Sequence, residues 1–201
     1  MAGLNTAADE DECAAQILDL DTCLGALLEF LDESPVGRET LLIVMGAHGP
    51  LVHVPLMVKA GGIGRSQALV EPSDLWATLL EWFSITPQPA SPTAKSLLPI
   101  VRDEISILRQ RLGIRGESGE RALRIPGWYL RFRESETRET GETCQLFAKP
   151  DDLWEVNNVA DRCQEIVEAM RQELAAYCQS FATGGPQNLP PLDDLLLAGP
   201  G

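Results

Sequence analysis

The sequence predicts an α/β fold. It reads as a partial mixed or parallel sheet flanked by helices, followed by a small antiparallel hairpin and a C-terminal helix. Three observations predict it. Residues 40–45 (TLLIVM) are a continuous apolar run with β-branched members, the pattern of a strand buried on both faces. Two β-prone runs, 121–125 and 128–133, flank Pro126-Gly127, as in a hairpin. Residues 159–181 carry Cys163, Ile166, Val167, Met170, Leu174, Tyr177, Cys178 and Phe181 at helical spacing.

The other elements follow in order. The start, to about Glu12, reads as frayed. Apolar positions then recur at Ala14, Ile17, Leu18, Leu24, Leu27, Leu28 and Leu31, which predicts a helix over 14–33 ended by Ser34-Pro35 and Gly37. The first 34 residues hold nine acidic and no basic residues, read as a solvated face rather than a ligand set. Residues 53–59 (HVPLMVK) predict a second strand, expected parallel to the first. Gly61-Gly62-Ile63-Gly64 is a turn and not a phosphate loop, because no Lys-Ser/Thr follows. Ser73 can cap a helix over 73–83. Residues 86–96 are a Pro/Ser/Thr-rich connection, and 97–112 read as a further helix. Residues 134–142 are a polar loop, and 143–148 are expected to return as a third strand. Gly184-Gly185-Pro186 stops the last helix. The tail has too little patterned surface to bury itself and is expected to be mobile. The domains so defined are an α/β portion at 13–112, the hairpin and helix at 113–182, and the tail at 183–201.

Composition excludes several functions. Hydrophobic residues make up 44% of the 201, enough for a packed core and against wholesale disorder. A formal net charge of −14 repels polyphosphate, so nucleic acid and anionic membrane surfaces are not expected partners. No run of about 18 apolar residues offers a membrane span. The N-terminus has no basic or apolar leader, and the five cysteines form no CxxC pair, so a cytoplasmic location with reduced thiols is expected. Cys163 and Cys178 read as core packing rather than redox or metal residues.

Several blocks, in order, resemble the C-terminal half of the sulfatase family, within the alkaline phosphatase superfamily. Leu20-Asp21 through Leu31-Asp32 is similar to the helix before the family's metal-binding strand. Leu41 to Gly49 (LLIVMGAHG) resembles the strand that ends in Ser/Thr-Asp-His/Asn-Gly. Val54 to Val58 resembles the VPLIV strand, and 70–85 (VEPSDLWATLLEWFSI) the segment VSLVDLAPTLLDLAGI. Lys95 to Pro99 is similar to the G-x-SLLP element, and 121–131 (RALRIPGWYLR) to the hairpin R-A-I-R-x-x-x-W-K-L-I. Residues 146–161 (LFAKPDDLWEVNNVAD) resemble LYDLxxDPxExxNLA. Together the blocks cover about residues 14–180 and imply a truncated alkaline-phosphatase-like fold. Under this resemblance, an all-helical structure, or the two early strands paired as a hairpin, would defeat the family assignment.

The resemblance also implies what catalysis requires. The family's nucleophile is a formylglycine made from Cys or Ser in a C/S-x-P-x-R motif. A divalent cation held by carboxylates and an Asn or His polarises the sulfuryl group, and Lys and His residues hold the sulfate and protonate the leaving group. Cys13, Cys23, Cys144, Cys163 and Cys178 are all followed by the wrong residues for modification. Ala47 occupies the position of the metal-ligand Asp, and a methyl group cannot coordinate a cation. His48 alone matches a second ligand position, as a vestige; one neutral imidazole will not hold Ca²⁺ or Mg²⁺, which demand oxygen ligands. The longer connection that bears the family's catalytic His and Lys is reduced to Gly49-Pro50-Leu51-Val52. His53 reads as a polar residue at a strand entrance, and Lys59 as a solvated strand end. No catalytic, cofactor-binding or metal residue is therefore assigned, and no cofactor is expected.

Three functions compete. The leading one is a catalytically inactive sulfatase-like domain that acts, if at all, by binding, with a protein partner covering the truncated sheet and the small-molecule ligand unknown. The second is one subunit of a split sulfatase completed by a partner chain. The third is a small hydrolase of another kind using His48 or His53, although no Gly-x-Ser-x-Gly elbow or Cys-His pairing accompanies them. The acidic helix is expected to cover the truncated sheet with its apolar stripe.

Overall fold

A computed structural model describes residues 6–46, 54–60, 64–86, 93–116, 119–134, 142–197 and 199. The chain forms two compact units, Met1–Gly62 and Ile63–Gly201.

Unit 1 begins with helix α1 (Thr6–Glu33), which starts ahead of the expected residue 14. It ends as expected at Ser34, whose Oγ accepts from Val36 N at the head of a 3-10 turn, Pro35–Glu39. Strands β1 (Leu42–Met45) and β2 (Leu56–Lys59) follow. They are antiparallel, with Leu42 opposite Lys59 and Met45 opposite Leu56. The expected parallel pairing is thus corrected. Only ten residues separate the two strands, and a parallel crossover needs a dozen or more. The helix does not cover the sheet as expected either. Leu31 is buried, but Ile17 is 62% and Leu20 63% exposed, and Met45 and Met57 on the strands are also exposed.

Unit 2 opens with α2 (Pro72–Trp82). Its N-cap is Glu71 rather than Ser73, because Pro72 takes the first helical position, where a missing N–H costs nothing. The expected helix over 97–112 shrinks to one turn, α3 (Leu98–Val101). Asp103 adopts a left-handed φ of 59°, and Glu104 N bonds back to Pro99 O, closing the turn. The rest of that segment leads to a strand, β3 (Leu112–Arg115).

Strands β3, β4 (Arg121–Arg124), β5 (Trp128–Glu134) and β6 (Glu142–Ala148) form an antiparallel meander in chain order. The hairpin about Pro126-Gly127 and the returning strand at 143–148 are as expected. Alternation divides the sheet. Leu123, Leu130 and Leu146 align across the strands and face α4 (Gln164–Ser180), where Ile166, Met170, Leu174 and Tyr177 complete the main core. Gly113 lies on that face because Tyr177 leaves no room; a Cβ there would overlap the ring. Tyr129, Phe147 and Ala122 are buried on the opposite face. Cys178 and Phe181 are exposed rather than in the core: Cys178 lies one step off the buried 166–170–174–177 row, and Phe181 follows the last residue of α4, in a 3-10 turn, with its ring edge-on to Tyr177.

The tail buries part of itself, contrary to the expectation that it lacks the surface to do so. Leu192 and Leu196, the latter in α5 (Asp194–Leu197), join the main core. Gly199 returns to the Pro126-Gly127 turn so closely that a Cβ on Gly127 would lie 2.7 Å from Gly199 Cα. Short apolar groups punctuated by proline show no period, so only the partner surface reveals their burial.

Candidate functional site

The sequence directs attention first to the end of β1. Gly46 is described: its N donates to Pro55 O at 2.9 Å, holding the two strand ends together. Ala47, His48 and His53 lie outside the described residues. Lys59, at the end of β2, donates to Asp32 Oδ1 at 2.6 Å, both side chains partly or largely in water. Among the described residues, no group of three or more His, Cys, Asp or Glu side chains is placed to hold a metal ion. The residues present do not fit the cation that the sulfatase resemblance implies. β1 ends in Met45 and Gly46, and the sequence continues with Ala47 where the resemblance would place a carboxylate.

The sequence did not anticipate the polar centres of unit 2. The first is built on Asp74, in the first turn of α2 and fully buried. Arg109 grips it with two parallel bonds, Nη1 to Oδ2 and Nη2 to Oδ1, each 2.6 Å. The same carboxylate accepts from Glu71 N at 2.8 Å and Lys95 N at 2.9 Å. Arg109 also donates to the carbonyls of Leu69 and Thr93. One turn along, Thr78 Oγ1 donates to Asp74 O at 2.6 Å and accepts from Leu97 N at 2.9 Å. The Asp and Thr of the segment resembling VDLAPTLL thus tie together three backbone stretches. A bidentate arginine–carboxylate pair with every oxygen engaged is what makes a buried charge tolerable.

The second centre lies between β5, β6 and the turn that follows. Asp152 accepts from Val156 N at 2.9 Å and Asn157 N at 3.0 Å. Partial burial pushes its carboxyl upward, but these backbone bonds and nearby Lys149 outweigh that and hold it below its ordinary value. Lys149 is buried and donates to the carbonyls of Asp152 and Leu153. Burial lowers its pKa, against the pull of Glu155. Glu155 bridges Lys149 Nζ at 3.5 Å and Arg131 Nη1 at 3.1 Å. Asn158 Oδ1 accepts from Leu146 N and Ala160 N. Asp152, Glu155 and Asn158 are the residues matching D-x-x-E-x-x-N in the block 146–161, and each shapes this turn.

Burial also acts on the sheet face beneath. Tyr129 is pushed up to about 12, first by burial and then by Glu155, and its hydroxyl has no hydrogen-bond partner among the described residues. Arg124 is lowered to about 10 by burial. A cavity of about 260 Å³ opens beside the 93–111 segment, lined among others by Lys95, Arg109, Arg111 and Tyr177. Arg109 is engaged by Asp74, Lys95 Nζ by Leu108 O at 2.9 Å and Arg111 Nε by Glu173 at 2.6 Å, while Arg111 Nη2 is buried with no hydrogen-bond partner among the described residues. Neither centre presents a nucleophile beside a base. Both act chemically as cross-braces. Their acidic members were readable as parts of the family blocks. Their basic partners, Arg109, Arg131 and Lys149, carry no local signal.

No protein-family model matches the chain, and no curated protein matches it in sequence. Comparison of folds gives a sulfatase of Bacteroides thetaiotaomicron, designated BT33336S-sulf and described in connection with the metabolism of multiple glycosaminoglycans. The two share 20% identity with a TM-score of 0.60, over 83% of this chain and 44% of that one. β1 and β2 pair antiparallel, the outcome expected to defeat the assignment, yet the fold likeness holds with that pairing; the criterion is thereby corrected, and the likeness is one of fold alone. The chain spans less than half the length of that sulfatase, and its fold is α/β and sulfatase-like.

Proposed function

We propose that this chain is a catalytically silent sulfatase-like domain that acts, if at all, by binding. The observation that carries this is Ala47 within LLIVMGAHG, at the position the resemblance gives to a metal-ligand aspartate. The substitution is internal to the sequence, so it weighs equally whatever precedes Met1. Sulfuryl and phosphoryl transfer both need a nucleophile and a cation to absorb charge on the moving group, and loss of one such element costs about two to three orders of magnitude. The purified chain should therefore release no nitrophenol from nitrophenyl sulfate or nitrophenyl phosphate above the solvent rate, with or without added Ca²⁺ or Mg²⁺. Ala47→Asp should not restore turnover, since one carboxylate is not a site. Steady release that disappears in His48→Ala or His53→Ala would overturn the proposal in favour of a working hydrolase.

One observation favours a second reading, a split sulfatase completed by another chain. β1 and β2 form a sheet of only two strands with exposed methionines, less than a stable sheet needs. Sulfatase activity appearing only on mixing with a chain that bears C/S-x-P-x-R would establish it. Ala47 weighs against it.

A further inference from the structure

The cavity beside the 93–111 segment belongs to unit 2, and its wall differs in sign from the rest of the chain. The chain carries 30 acidic and 16 basic residues. On the cavity wall this is reversed. Lys95, Arg109 and Arg111 line it, and among the described residues no acid does. The carboxylates that pair with the two arginines, Asp74, Glu71 and Glu173, are not on that wall.

The three cations are not equivalent. Arg109 has its four terminal N–H groups taken by Asp74 and by the carbonyls of Leu69 and Thr93. Arg111 gives Nε to Glu173, but its side chain is only 7% exposed and Nη2 has no partner among the described residues. A guanidinium nitrogen closed off from solvent without an acceptor is costly, and folded proteins rarely leave one so. Lys95 Nζ makes one hydrogen bond, to Leu108 O, and pairs with no carboxylate among the described residues. An ammonium group has three donors, so Lys95 retains capacity for a guest.

The charges define that guest. Two of the three cations already face carboxylates and one does not, so a guest with a single negative charge completes the balance. A phosphate dianion would bring a second charge with nothing to meet it. The rest of the wall selects the body of the guest, because Ile107, Leu108 and Leu189 are aliphatic. The space of about 260 Å³ falls below the roughly 300–1,000 Å³ of drug-sized pockets, so the guest has on the order of ten non-hydrogen atoms.

We propose that this cavity binds a small organic carboxylate, its charged end held by Lys95 Nζ and Arg111 Nη2 and its apolar body against Ile107, Leu108 and Leu189. Ala47 plays no part in this inference, which holds whether the chain is silent or active towards sulfate esters.

Benzoate is the probe, titrated into the full chain and followed by amide NMR. Shifts should saturate with a dissociation constant on the order of 1 mM, as expected for so small a ligand, and should concentrate at 93–95, 107–111 and 186–189. Benzyl alcohol, of similar shape and uncharged, should bind at least about tenfold more weakly, and phenyl phosphate should bind no better than benzoate. Lys95→Met keeps the apolar stem and removes the charge, and should weaken benzoate binding about tenfold. Arg111→Lys keeps a cation for Glu173 but loses Nη2, and should weaken it by a similar factor. Glu173→Gln removes the carboxylate facing Arg111 and should instead tighten benzoate binding by about threefold or more, a gain that a purely structural role for Arg111 does not give. If Arg111→Lys loses its circular-dichroism signal, Lys95→Met and Glu173→Gln carry the test. No saturable shift up to about 20 mM benzoate, equal binding of benzyl alcohol, tighter binding of phenyl phosphate, unchanged affinity in Lys95→Met, or no gain in Glu173→Gln would overturn the proposal.

Discussion

Unit 1 is the richer of the two units in apolar residues for its length, yet it buries far fewer of them. In unit 1, Leu31 is the one described apolar side chain that is buried; every other buried apolar residue lies in unit 2. Unit 2 places a four-stranded sheet under α4 and seals it with Leu192 and Leu196. Unit 1 has a helix of 28 residues and a sheet of two strands. The difference teaches that apolar patterning supplies an element but not its burial. A second layer must be present to receive the face.

Asp74 gives the largest test of this contrast. Asp74→Ala leaves Arg109 buried without its carboxylate and should destabilise unit 2 by about 3–5 kcal/mol. Asp32→Ala in unit 1 breaks an ion pair of the same 2.6 Å length, but one open to solvent, and should cost under about 1 kcal/mol. Urea unfolding read by Trp fluorescence and by circular dichroism would show both, and equal losses would erase the distinction.

A second pair of variants compares packing. Met170→Ala removes a fully buried side chain from the main core and should cost about 2–5 kcal/mol. Phe30→Ala removes a larger side chain that is 62% exposed and should stay within about 0.5 kcal/mol, measured in dilute solution.

The smallest effect concerns Asp152 and acid. Its carboxyl is held below 3.8 in the fold, so its contribution is fully present above that value and is lost as pH falls through the folded pKa. Asp152→Asn should therefore reduce stability at pH 6, by about 1 kcal/mol for weakened bonds to Val156 and Asn157 N–H, and flatten the decline below pH 4. A decline of unchanged steepness in the variant would assign the acid sensitivity elsewhere.

Much of unit 2 was legible in the sequence, because hairpin, returning strand and last helix each carry a local period or turn. The segment 97–112 was not. Its helix-prone residues are taken up by longer-range demands, with Arg109 drawn to Asp74 and Leu112 paired opposite Arg124. The direction of β2 was likewise not encoded in its apolar run, which reads the same parallel or antiparallel; the ten intervening residues carried the information. Of the two polar centres, Asp74, Thr78, Asp152, Glu155 and Asn158 lay within recognisable blocks. The blocks alone do not distinguish a brace from a catalytic group.

By itself, then, the sequence determined the α/β class, the hairpin, the final helix, the charge and the alanine at position 47. These depend on residue type and on neighbours a few positions away. Tertiary structure alone decided that Arg109 pairs with Asp74, that Lys149 is buried under Glu155, and that the tail is core while Ile17 and Leu20 remain in solvent. Burial and ion pairing depend on what the rest of the chain brings to the same place, and no local pattern records that.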